Sequence, residues 1–233
     1  MNKNLSSLSE LETRTQTITT TKHSKEINLL EELLNYGLTG FEKIEKYTII
    51  SDNDLVYAWL LLSIRSFNSL RCSFNSMIQG YYSQSMILAR SIFEDWLTAK
   101  DCEKNQKTLE ALLHRDNEYF RKEGRYSQMA KRLSAEFPST WGKIYGDLSK
   151  LAHARPDALV MLVDSQTKNL MLGSYYKDDL FMASYQTLLA VASIIPEIIY
   201  HLLGTQATQW WEGILPLLKE AKSEIERVAT IVE

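Results

Sequence analysis

The chain has 233 residues, a formal net charge of −3, and 45% hydrophobic against 24% charged residues. Such a chain can bury a full core, and its mild negative charge excludes an overall field for nucleic acid or anionic membranes, so any RNA contact must come from a local patch. Cys72 and Cys102 carry no partner motif, which points to reduced thiols and a cytoplasmic protein. The first residues lack the apolar run of a signal peptide. No apolar stretch reaches the roughly 18 residues of a membrane span, so no membrane partner is expected. Residues 188–203 come nearest, but they contain Pro196, Glu197 and His201 and read as a buried core helix.

Residues 1–24 are poor in large apolar side chains and include the run Thr13-Arg14-Thr15-Gln16-Thr17-Ile18-Thr19-Thr20-Thr21. They are expected to form a disordered tail, because they offer too little apolar surface to offset ordering entropy. Residues 25–233 are expected to form a single helical domain. Its first helix begins at Lys25, with Ile27, Leu30, Leu34, Leu38, Phe41 and Ile44 at helical spacing. Ser51-Asp52-Asn53-Asp54 is a start signal for a second helix running to about Gln79, which Gly80 ends. Further helices are predicted from Ser83 to about Cys102, Thr108 to Lys122, Tyr126 to Glu136, and Pro138 to His153, where Pro156 closes the pattern.

Between Pro156 and Lys177 the period shortens. Leu159–Val163 and Asn169–Leu172 flank a polar stretch, which predicts a short β-hairpin near residues 159–172. Two helices close the chain, Asp178 to Leu203 and Thr205 to Val232, each with a proline (Pro196, Pro216) expected to kink or split it. The fold class is therefore all-α: a bundle of about seven or eight helices with a hairpin insertion.

Two constellations carry candidate chemistry. On the helix from Ser83 to Cys102, apolar residues lie almost all the way round, so the helix should be central. Arg90 and Glu94 stand within that surround, four residues apart on one face. Buried charge is costly unless paired, so they form either a structural ion pair or part of a site. The second constellation is Tyr145, Ser149 and His153, spaced four and four along one side of their helix. His153 falls in the last turn, where the helix dipole favours a protonated ring. A histidine used only as a cap would sit in the same place.

Other patterns are weaker. Glu110, His114 and Glu118 share a helix face but lack the context of a metal site, and a solvated charged face is the better reading. No metal and no cofactor is expected. Residues 115–132 interleave six basic residues with Tyr119, Phe120 and Tyr126. Such a patch could track a single RNA strand, but Asp116, Glu118 and Glu123 dilute it. Trp210, Trp211, Ile214 and Leu217 form a cluster that fills a core or anchors an interface.

The stretch Ala89-Arg90-Ser91-Ile92-Phe93-Glu94, followed by Tyr145-Gly146-Asp147-Leu148-Ser149-Lys150-Leu151-Ala152-His153, resembles a family of uncharacterised helical proteins from bacteria and archaea. Their pattern is Arg-x-x-x-Glu, then Ser-x-x-x-His, then a hairpin and a last helix pair. More loosely, the layout is similar to the HEPN superfamily, which includes ribonuclease toxins and abortive-infection proteins, and so implies a setting of antiviral defence or stress. HEPN-like bundles commonly pair, so the resemblance implies a homodimer. HEPN ribonucleases place an arginine shortly before the histidine, and residues 144–152 here contain none.

Two functional readings follow. One is a non-catalytic binding or interaction protein with an RNA or protein partner. The other is a metal-independent ribonuclease in which His153 is general acid or base, Arg90 stabilises the phosphorane charge, and Glu94 positions one of them. Whether the chain is an enzyme stays open at this level. The absent upstream arginine favours the first reading.

Overall fold

The computed structural model describes residues 5–44, 53–133, 146, 148–149, 173–204 and 207–229. Every regular element among them is helical, giving the all-α bundle that the patterning predicts. In chain order these are α1 (Leu5–Lys22), α2 (Ser24–Lys43), α3 (Asp54–Ile78), α4 (Tyr82–Lys104), α5 (Gln106–Leu113), α6 (Asn117–Lys122), α7 (Tyr126–Arg132), α8 (Asp178–Ala192), α9 (Ile195–Leu202) and α10 (Ala207–Ala229). Gly146, Leu148 and Ser149 are also helical. The expected hairpin near 159–172 lies outside the described residues.

The longest helix–helix contact is between α3 and α4. Asn53 starts α3 by accepting from the amides of Leu55 and Val56, at 3.1 and 3.2 Å, as its place in the start signal predicts. At the other end Gly80 adopts φ +82°. There the Tyr81 amide donates to Ser76 O and the Gly80 amide to Met77 O, the paired bonds of a left-handed helix stop. Three residues therefore fold α4 back along α3. Against this pair pack α8, α9 and α2, and one core runs through them from Leu30 and Phe74 to Phe93, Leu188 and Ile199.

Two expectations are corrected. Residues 5–22 are not a loose tail but the docked helix α1. It needs no large apolar stripe, because its threonines satisfy themselves locally: the hydroxyls of Thr13, Thr17, Thr19 and Thr21 donate to carbonyls four residues back. Thr15 and Thr19 are buried, and Thr15 lies where a side chain at Gly80 would otherwise stand. The Tyr81 hydroxyl donates to Glu12 at 2.6 Å and fixes the helix to the α3–α4 turn.

The second correction concerns the single helix expected over Thr108–Lys122, which is two. Arg115 takes φ +57° between them, and Asp116 caps α6 by accepting from the amides of Glu118 and Tyr119. Of the two readings of the aromatic cluster near the C-terminus, Trp210 and Ile214 take the core one. Trp210 and Ile214 are buried, and Trp210 Nε1 donates to Thr39 on α2 at 3.2 Å.

The two prolines act differently. Pro196 sits in the first turn of α9, and the chain breaks at Ser193–Ile194 just before it, where a missing amide is harmless. Pro216 lies inside α10 without splitting it. Residues 178–202 are long and apolar enough to cross a membrane, yet 67% of their most apolar stretch is buried inside the bundle, as in a core helix.

Candidate functional site on helix α4

Helix α4 is buried on nearly all sides, through Met86, Ala89, Ile92, Phe93, Trp96 and Leu97. Charges on it are therefore forced to find partners. Arg90 Nε donates to Glu94 Oε1 at 2.8 Å, with the two side chains 17% and 12% exposed. The local pair read from the spacing is thus present. Ser149 is helical and half-buried beside the buried Leu148. Tyr145 and His153 lie outside the described residues, and so does the convergence of all five side chains on one site.

Two further acids on α4 are buried more deeply than Glu94. Asp101 is fully buried, and its carboxylate accepts three hydrogen bonds among the described residues. Arg132 of α7 grips it with Nε to Oδ1 at 2.8 Å and Nη2 to Oδ2 at 2.6 Å. The Thr108 hydroxyl of α5 donates to Oδ2 at 2.6 Å. Tyr119 of α6 stands 2.7 Å from that Thr108 hydroxyl. The Asp101 hydrogen bonds raise the Arg132 guanidinium further above its ordinary value. This network ties four helices together, and both carboxylate oxygens accept from donors that are themselves held in place.

Asp95, 2% exposed, is held more loosely. Its carboxylate meets Arg65 Nη1 at 3.2 Å and accepts from the Ser66 hydroxyl at 3.2 Å. Arg65 itself is 59% exposed, so water weakens the compensation. Burial pushes the Asp95 carboxyl up to about 7, against the smaller opposing pull of Arg65. The residue also borders a cavity of about 280 Å³ between α3, α4 and the α5–α7 segment.

Elsewhere His23, between α1 and α2, stacks on Phe181 with ring centroids 3.9 Å apart. Its Nε2 stands 3.0 Å from the Tyr176 hydroxyl and 3.2 Å from Asp178 Oδ1. His201 is edge-on to Trp59 at 4.4 Å, and burial together with Lys100 lowers its pKa. No group of three or more metal-ligating side chains occurs among the described residues, Glu110, His114 and Glu118 included. The basic stretch 115–132 does not act as one strip, since Arg132 is committed to Asp101 and Lys122 to Glu118.

Local sequence patterns do not single out Asp95, Asp101, Arg65 or His23, and they place Arg132 only in the basic stretch 115–132. The signal for the acids was present: an acid on a helix apolar all round needs a partner, and that holds for residues 95 and 101 as for residue 94. Their partners lie about thirty residues away and were invisible to a local spacing rule. The chain matches no family model, no curated protein and no solved structure.

Proposed function

We propose that the chain is a non-catalytic binding protein, a helical bundle that holds a ligand or partner beside α4. The observation that supports this is the Arg90–Glu94 pair. Arg90 Nε is held by a carboxylate one turn along its own helix, at 2.8 Å, as in a packing pair, and residues 144–152 supply no arginine to assist His153 in phosphoryl chemistry. A partly buried pair of this kind fixes side-chain positions and contributes to packing.

Incubation of the purified protein with single-stranded RNA and with transfer RNA tests the reading. No cleavage above a buffer control is expected. Arg90→Ala should cost roughly 1–3 kcal/mol, less than the ~3–5 of a fully buried pair because both side chains keep some exposure. Cleavage that is lost in a folded His153→Ala variant would replace this reading with the ribonuclease one.

A further inference from the structure

We propose that the cavity bordered by Asp95 binds a small aromatic monocarboxylate, its ring between Phe120 and Tyr126 and its carboxylate held by Arg65 and Arg115. The site deepens the binding-protein reading and rests on it. All five of these residues line the cavity. Its volume, about 280 Å³, is just below the usual range of ligand pockets, roughly 300–1,000 Å³, which suits one ring and one charged group. The wall brings two guanidinium groups against one acid. With Asp95 protonated, the two arginines present their positive charge to the one negative charge of the ligand.

The backbone supplies an independent argument. Helices α3 and α5 stop in the same way. At the end of α5, the Asp116 amide donates to Ala111 O and the Arg115 amide to Leu112 O, repeating the bonds made by Tyr81 and Gly80. At the first stop the left-handed residue is glycine. At the second it is Arg115, with φ +57°, a conformation that a side chain disfavours. Glycine would stop the helix better, and the arginine that stands there instead lines the cavity. An observed backbone outlier of this kind points toward a functional use of the side chain.

Binding at this wall is coupled to a proton. Asp95 faces Arg65 and Ser66 from α3 and Glu94 from its own helix, and Arg115 at the α5–α6 junction and Tyr126 from α7 line the same cavity. An ionised Asp95 engages Arg65 and repels an incoming carboxylate. A protonated Asp95 frees Arg65 to pair with the ligand. Above neutral pH, binding therefore draws one proton from solvent onto the Asp95 carboxyl, and no other bond changes.

Calorimetry with benzoate, whose charge is constant near neutrality, tests the site. Saturable one-to-one binding is expected at about pH 6, with affinity falling by up to about tenfold per pH unit above 7. Acetate and benzyl alcohol, each lacking one half of the recognition, should bind at least about tenfold more weakly. Arg115→Gly should keep a Tm at or above wild type and lose benzoate affinity by about tenfold or more. Arg65→Ala, at an exposed position, gives a second folded variant with the same expected loss. Asp95→Asn should bind with no pH dependence in this range. Absent binding at pH 6, or unchanged affinity in both arginine variants, overturns the proposal. RNA cleavage by a protein that still binds benzoate in this manner would remove the binding-protein reading and leave the site. Absent benzoate binding without RNA cleavage removes the site alone.

Discussion

Asp95 and Asp101 sit six residues apart on α4, both buried, and the bundle treats them in opposite ways. Asp101 receives a bidentate arginine and a threonine hydroxyl, with a tyrosine behind them. Asp95 receives one long contact from an exposed arginine and one serine hydroxyl. The first arrangement compensates the buried charge and draws α5, α6 and α7 onto α4. The second leaves the carboxyl pushed up to about 7 beside an open cavity. Burial alone therefore says little about role. What separates a structural acid from a responsive one is whether its acceptor sites are filled by donors that are themselves held in place.

The largest effect that would break this comparison lies at the closed network. Arg132→Ala strands the Asp101 carboxylate and should cost on the order of 3–5 kcal/mol, read by urea unfolding at neutral pH. A loss below about 1 kcal/mol would mean that the network holds nothing together. At the α3–α4 turn, Gly80→Ala combines a left-handed backbone with a clash against Tyr175 and Thr15. Its expected cost is roughly 2–5 kcal/mol, and a neutral substitution would show that α1 is not pressed against this turn.

At Asp95 the sign reverses. Its folded-state pKa is raised from 3.8 to about 7, so between those values the folded state holds more protons than the unfolded. The stabilisation associated with this group is fully present below about pH 4 and is lost as pH rises to about 7. Asp95→Asn removes that loss. The variant should match wild type near pH 4 and exceed it by a few kcal/mol, on the order of 3, at pH 8. Equal stability at both pH values would place Asp95 with Asp101 as a satisfied acid. The smallest effect belongs to Arg115→Gly, which relieves the left-handed arginine and should raise stability by about 1 kcal/mol.

The helical class, the central position of α4 and the Arg90–Glu94 bond were legible because each depends on residues within a turn or two of one another. The α3–α4 stop was legible through Gly80, the residue that such a stop favours. The stop at Arg115 was hidden by its arginine, although Asp116 just after it is a good cap. Helix α1 was missed because it docks through small threonines and a glycine contact rather than through a stripe of large apolar residues. The pairs Arg65–Asp95 and Arg132–Asp101 join separate helices, and nothing in local spacing announces them. His23 escaped for a similar reason, as its partners Tyr176, Asp178 and Phe181 come from the far end of the chain.

The most direct test of the distinction between the two acids is a carbon-13 NMR titration of the Asp95 carboxyl in the intact protein, assigned by its disappearance in Asp95→Asn. A midpoint near 7 is expected, moving higher in Arg65→Ala because the cation that opposes the effect of burial is then gone. A midpoint near 4, the ordinary carboxylate value, would mean that Arg65 and Ser66 fully satisfy the acid, and the cavity beside it would lose its proton-linked character.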